Sequence, residues 1–187
     1  MKAKLGPVLS LYPMPTVVVG ALVQGKPNPI TIAHVGIMDL ESVSISLHKP
    51  HYTNPGIRET GTFSINIPSE SQVAETDYCG LVSGKNADKS KLFDWFYGEL
   101  KTAPMIGEFP LNMECRLVRT VDFPKHDLFV GEIVQTYCSE ECMTDGLVDF
   151  SKIRPILFVM HDKSYWKLGD RFAGAWSVGK ALKRKDP

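Results

Sequence analysis

The chain has 187 residues, 43% of them hydrophobic, a size and composition that fit one domain with a sizeable core. Twenty-one basic side chains balance 21 acidic ones, so there is no electrostatic footprint for nucleic acid or an anionic membrane. No run approaches the roughly 20 apolar residues of a membrane span, and residues 1–7 open no signal-peptide pattern; the expectation is a cytoplasmic protein.

Residues 14–23 predict the first strand. Thr16-Val17-Val18-Val19 is β-branched throughout, which stiffens χ1 and favours extended backbone. Its continuous apolar character predicts burial on both faces. Residues 24–28 read as a turn and 30–38 as the returning strand, making 14–38 a hairpin. Residues 42–47 alternate, with Val43, Ile45 and Leu47 on one face and Ser42, Ser44 and Ser46 on the other. The serine face is either solvent surface or the wall of a site that a flat ligand approaches closely. Asn54-Pro55 predicts a helix start, Asn as cap and Pro in the first turn, with Gly61 closing the helix. Phe63, Ile65 and Ile67 alternate as a strand. Ser69 with Gln72 has the form of a capping box and predicts a helix over 70–82. A second helix is expected over 88–97, turning Leu92, Phe93, Trp95 and Phe96 to the core.

The second half reads as β again. Leu111, Met113, Cys115 and Leu117 alternate with polar residues, 122–127 is a turn, and 128–137 returns. Thr144-Asp145-Gly146 is a turn, 155–160 an apolar strand, and 165–169 a short closing strand. Residues 178–187 form a basic, exposed tail. Many β-runs without regular βαβ alternation predict a mainly β fold, a closed barrel with helical decorations. Cys79 and Cys115 sit in apolar patterns as buried small hydrophobes. Cys138 and Cys142 have no zinc-spaced partner, and cytosolic disulfides are rare.

No nucleophile elbow, P-loop or G-x-G-x-x-G is present. His34, His48, His51 and His161 form no zinc motif, so no metal is expected. What the loops do offer is anion-binding chemistry. Asn28, Thr31, Lys49, Tyr52 and Thr53 flank strands, and Ser83-Gly84-Lys85 runs on to Lys89 at an expected helix junction. Free N–H groups beside Ser and Lys make a ready phosphate site, and glycine lets backbone approach it. Together with Tyr165 and Trp166 near the last strand, these residues point to a phosphate-bearing ligand with a flat ring.

The order of these blocks resembles the flavin reductase-like family of FMN-binding split barrels, and within it the flavoredoxin and archaeal ferric reductase branch. The resemblance is carried by Tyr12-Pro13-Met14-Pro15-Thr16-Val17-Val18-Val19, Asn28-Pro29-Ile30-Thr31-Ile32-Ala33 and Val43-Ser44-Ile45-Ser46-Leu47. The segment through Gly61, Phe63 and Asn66, the turn from Ser83 to Lys89, and Tyr165-Trp166-Lys167-Leu168-Gly169 complete it over residues 11–169. The resemblance implies an antiparallel Greek-key split β-barrel, FMN as cofactor, and a homodimer whose two subunits shape the flavin groove. It implies that Thr31, Ile32 and Ala33 line the flavin through backbone N–H groups and the Thr hydroxyl, with His34 near the ring. Ser46, Leu47, His48 and Lys49 would flank the ring and ribityl chain. Tyr52 and Thr53, with Ser83, Lys85 and Lys89, would serve the ribityl and phosphate end, Tyr165 or Trp166 would cover the ring, and Asn28 is counted with the cofactor-binding residues.

The implied function is an oxidoreductase or electron carrier. Electrons would pass from NAD(P)H or a redox partner through bound FMN to flavin, ferric iron or a protein. Hydride transfer needs no general base, so no catalytic acid or base is assigned. Two alternatives stay open: a reductase that uses flavin as a diffusible substrate for a two-component monooxygenase, and a non-enzymatic barrel for another ligand or a protein partner. Scattered aromatics disfavour an oligonucleotide-binding version.

Overall fold

The structure is a computed structural model that describes residues 1–182. Its elements in chain order begin with β1 (Met14–Pro15), β2 (Val17–Val23), β3 (Lys26–Ile32), β4 (Val35–Ile37) and β5 (Ser42–His48). Then come α1 (Thr53–Thr60), β6 (Thr62–Ile67), a helical turn (Glu70–Gln72), α2 (Val73–Leu81), β7 (Trp95–Phe96) and β8 (Met105–Ile106). Two long strands follow, β9 (Leu111–Asp122) and β10 (His126–Cys138). The chain closes with β11 (Met143–Thr144), β12 (Leu147–Val148), α3 (Phe150–Ile153), β13 (Ile156–Val159) and β14 (Ser164–Lys167).

Seven strands make one antiparallel sheet in the order β3-β2-β6-β9-β10-β5-β4. The sheet curls until its two edge strands, β3 and β4, are consecutive in the chain, joined by Ala33 and His34. This is the split barrel. Two irregularities in the β9–β10 register, at Val130/Gly131 and Ile133/Gln135, belong to this curvature. Inside the wall, Ile45, Leu47, Phe63, Cys115 and Phe129 are wholly buried. Gly131 is required there, since a Cβ would lie 2.5 Å from Phe63 Cζ. A second apolar cluster of Val18, Cys79, Phe93, Ile106 and Phe109 packs α2 and the β7–β8 region on the outside of the wall. β1, β13 and β14 form a separate three-stranded sheet.

Two buried polar networks tie the connections down. Asn66 donates to Val18 O and Ser64 Oγ, and its Oδ1 accepts from Ile106 N and Asn112 Nδ2. The fully buried carboxylate of Glu114 accepts from Glu99 N, Leu100 N and the Tyr137 hydroxyl. Satisfied networks of this kind fix a loop because every alternative strands a polar group away from water.

The long strands fall where the sequence reading expects them, four two-residue strands (β7, β8, β11 and β12) are additional, and the Ser69/Gln72 capping box forms as expected. Four local expectations change. The predicted 14–38 hairpin is interrupted at both ends: Met14 and Pro15 pair with β13, and the return strand breaks at Ala33–His34. Its turn is only Gln24–Gly25, both at positive φ (52° and 73°). α1 begins one residue before Asn54, because the Asn54 amide serves His48 O and Asp127 Oδ2 instead of capping. The 88–97 helix does not form. Asp88 accepts from Ser90 N and Oγ, Trp95 Nε1 donates to Ser90 O, and Asp94 N donates to Glu108. These local bonds compete successfully with a short helix. Phe93 still reaches a core, while Phe96 packs edge-on to Tyr137. Of the basic tail, Lys180 is exposed, whereas Lys183, Arg184 and Lys185 lie outside the described residues.

Candidate functional site

The Ala33–His34 seam opens onto a cleft of about 440 Å³. Its floor is the barrel: Thr31, Ile32, Ala33 and His34 from the seam, Ser46 and His48 from β5. One wall is α2, with Asp77, Gly80 and Leu81. The other wall is the small sheet, with Phe158, Met160 and Tyr165. Local bonding explains why the walls stand where they do. Thr31 Oγ1 donates to Thr76 O, tying β3 to α2. Gly80 sits against Thr31, where a Cβ would come within 3.3 Å of the Thr31 Cβ. Tyr165 OH donates to Asp77 Oδ1 at 2.8 Å, joining the small sheet to α2. Ser46 N donates to His34 O at 2.9 Å, which holds the seam against β5.

Imidazoles dominate one side of this floor. His126, the first residue of β10, stands opposite His48, the last of β5. Ring centroids run His34–His126 5.8 Å, His126–His48 5.3 Å and His48–His51 5.8 Å, an unbroken row of four. Burial pushes His51 and His126 below the ordinary imidazole range, and neighbouring imidazoles push the same way. Among the buried polar atoms without a hydrogen-bond partner, Thr16 Oγ1, His34 Nε2 and His51 Nδ1 belong to residues lining the cleft. Such atoms are costly unless a ligand or solvent satisfies them.

Seven of the residues singled out from sequence share this cleft: Thr31, Ile32, Ala33, His34, Ser46, His48 and Tyr165. The others lie elsewhere. Asn28, Tyr52, Lys85 and Lys89 line a separate polar hollow of about 280 Å³. Asn28 Nδ2 donates to the buried Thr53 Oγ1 at 2.8 Å, and Gly84 packs so closely that a Cβ would fall 2.0 Å from Asn28 Oδ1. Lys89, 4% exposed, donates to Cys79 O and Val82 O at the end of α2. Ser83 Oγ accepts from Lys85 N within a turn that no helix follows. Leu47 points into the barrel core, Lys49 pairs with Asp122, and Trp166 is 55% exposed with Nε1 on Ser164 Oγ. Sequence reading missed Thr16, Asp77, Phe158 and Met160, and it left His126 inside a turn. No sequence signal marks His126, because only the β5–β10 register brings it to His48.

The arrangement suits an organic ligand with a flat apolar body and a few polar atoms. Among the described residues, no group of three or more His, Cys, Asp or Glu is arranged to hold a metal ion, and no helix is long and apolar enough to cross a membrane.

The family model described as the flavin reductase-like domain matches residues 9–157. A flavoredoxin from Methanosarcina acetivorans is 46% identical in sequence and superposes with a TM-score of 0.95 over 97% of this chain and 99% of its own. The flavoredoxin of Desulfovibrio vulgaris (Miyazaki F) is 37% identical, with a TM-score of 0.89 over 96% of this chain and all of its own (100%). A protein of Archaeoglobus fulgidus is 30% identical over 155 residues, 81% of this chain and 84% of its own length. With the family model matched over residues 9–157, the chain belongs to the flavin reductase-like family.

Proposed function

We propose that the protein is an FMN-binding flavoprotein oxidoreductase or electron carrier, taking electrons from NAD(P)H or a redox partner and passing them to flavin, ferric iron or a protein. The observation that carries this reading is the seam cleft itself: apolar walls around unpartnered polar atoms of Thr16, His34 and His51. Flavoredoxins similar to the whole chain support it.

These residues fit FMN. Leu81, Phe158 and Met160 offer apolar contact to a ring, and the seam residues Thr31–His34 with Ser46 offer polar contact at its edge. Tyr165, fixed by Asp77, is the aromatic cover. Lys89 would have to leave two carbonyls to serve a phosphate, so we assign the phosphate end to the His48 and His51 side. FMN supplies hydride acceptance and one- or two-electron transfer. The chain's own part is to hold the ring, exclude water with the apolar walls, and keep donors at the ring edge. A second copy of the chain is expected to complete the groove as a homodimer.

An absorbance spectrum of the FMN-loaded protein followed by parallel anaerobic titration with NADH and NADPH tests this. A yellow protein bleached by one donor supports the reductase. A yellow protein reduced only by a protein donor supports the carrier. A protein that takes up no FMN in a titration overturns the reading.

A further inference from the structure

One carboxylate, Asp127, acts on the imidazole row, favouring the charged form of His126 against the stronger effects of burial and the neighbouring cations. Asp127, next to His126 on β10, already has its Oδ2 engaged by Arg58 at 2.9 Å and by Asn54 Nδ2 at 3.1 Å. Asp77, on the α2 wall, accepts from the Tyr165 phenol. The remaining charges around the row are cationic. Lys89 acts on His51, Lys125 acts on His126, and Lys163 lines the cleft from the β13–β14 turn. A protonated imidazole therefore meets other imidazoles, lysines and two committed carboxylates. Burial and these neighbours favour the neutral forms of His51 and His126, while His34 Nε2 and His51 Nδ1 are buried without partners.

We propose that this row is a proton-accepting anion subsite: an anionic group of the bound ligand enters beside His48, His51 and His126, and one imidazole takes up a proton from solvent as it binds. The proposal rests on the flavin reading for the identity of that ligand. Its anionic group is the phosphate monoester of FMN or the reduced, anionic ring, and the same row serves either. The physical reason is reciprocal. An anion within contact distance favours the charged imidazole, and the charged imidazole replaces the water that the anion loses. His34, His51 and His126 are half-buried, which strengthens both effects there, while His48 is exposed. By linkage, affinity then falls as pH rises through the imidazole range, up to about tenfold per unit when one proton is coupled.

The chain has five histidines, so the proton NMR signals of their C2–H groups are few enough to follow one by one. His161 lies outside the row, packed on Tyr12, and serves as the internal control. Single substitutions His48→Gln, His51→Gln, His126→Gln and His161→Gln assign the signals, and the wild-type titration stands even where a variant fails to fold. Titrations are run with no ligand, inorganic phosphate, FMN and riboflavin. Calorimetry in phosphate-free buffers of different ionisation enthalpy, above pH 6.5, counts protons while the phosphate monoester (second pKa about 6) stays mostly dianionic.

With FMN, at least one row signal should move its midpoint upward by about one unit while His161 stays fixed, and calorimetry should show uptake approaching one proton. Uptake with FMN but not riboflavin assigns the phosphate monoester. Uptake that appears only on reduction, beyond that of free flavin and with both flavins, assigns the ring. Flavin binding, seen by absorbance, with no midpoint shift and no uptake in either redox state overturns the subsite and leaves the flavin reading standing. Midpoints that move with inorganic phosphate in a protein that binds no flavin support the subsite and overturn the flavin reading. No flavin binding and no shift with phosphate overturns both.

Discussion

The phenol of Tyr165 donates to Asp77 Oδ1 at 2.8 Å, so one hydrogen bond joins β14 to α2 beside the cleft. Burial first, and Asp77 second, hold this phenol well above the ordinary tyrosine range. In the unfolded chain it deprotonates near pH 10, so the native state keeps a proton that the unfolded state loses. Stability therefore falls as pH rises above 10. A spectrophotometric titration of the six tyrosines should show one that ionises last, and Tyr165→Phe should remove that phase. The same variant should lose about 1 kcal/mol of stability.

Glu114 is expected to be the costliest surface-remote carboxylate to remove. It is wholly buried and receives two backbone N–H groups and the Tyr137 hydroxyl. Glu114→Ala strands three donors and should cost at least about 3 kcal/mol in urea denaturation. Tyr137→Phe removes one partner and should cost about 1 kcal/mol. A double-mutant cycle should show clear coupling between the two.

Lys89 spends its ammonium on the last carbonyls of α2. Burial lowers its pKa below the usual lysine value. Between that lowered value and 10.5, the unfolded chain binds more protons, so this group makes stability rise with pH there. Lys89→Met should abolish that rise. It should also leave Cys79 O and Val82 O unmet, for a loss of roughly 1–3 kcal/mol at neutral pH. Denaturation curves collected from pH 7 to 10.5 for both proteins check the sign and the size.

The cysteines should be poor nucleophiles in the folded protein. Burial pushes the Cys79 thiol up to about 11 and the Cys115 thiol up to about 12. The thiolate is the reacting form, so Cys79 and Cys115 should resist a thiol reagent at pH 8 until denaturant is added, when four thiols should react. Because the unfolded thiols ionise near 9 and the native ones later, stability should decline between pH 9 and about 12.

Much of the barrel is legible in the sequence because alternation survives in single strands. Val43/Ile45/Leu47 and Leu111/Met113/Cys115 announce their inner faces without reference to any partner. The seam half of the cleft, Thr31–His34 and Ser46, is legible through the order of blocks that resembles the family, and not through alternation. The rest is not local. His126 enters the site only because a register of seven residue pairs between β10 and β5 ends at His48. Asp77 and Phe158 arrive from opposite walls. The partners of the Lys85–Lys89 stretch are not legible either, because lysine spacing looks the same whether the ammonium faces an anion or, as at Lys89, meets the carbonyls that end a helix. The aromatic run 92–97 misleads because its helical spacing ignores Asp88 and Ser90, which hold the backbone in turns.

The seam between β3 and β4 has one more consequence. Elsewhere the barrel wall is fastened by cross-strand hydrogen bonds, which can slip or fray. Here its two edges are fastened by covalent chain alone, three peptide steps from Ile32 to Val35, spanning at most about 10 Å. The gap between β3 and β4 on the floor of the cleft is thus written in residue count, while the walls above it are set by side-chain bonds. Deleting Ala33 would have to draw the edges together, and inserting a residue beside it would let them part. In this chain, the gauge of that gap is a matter of length.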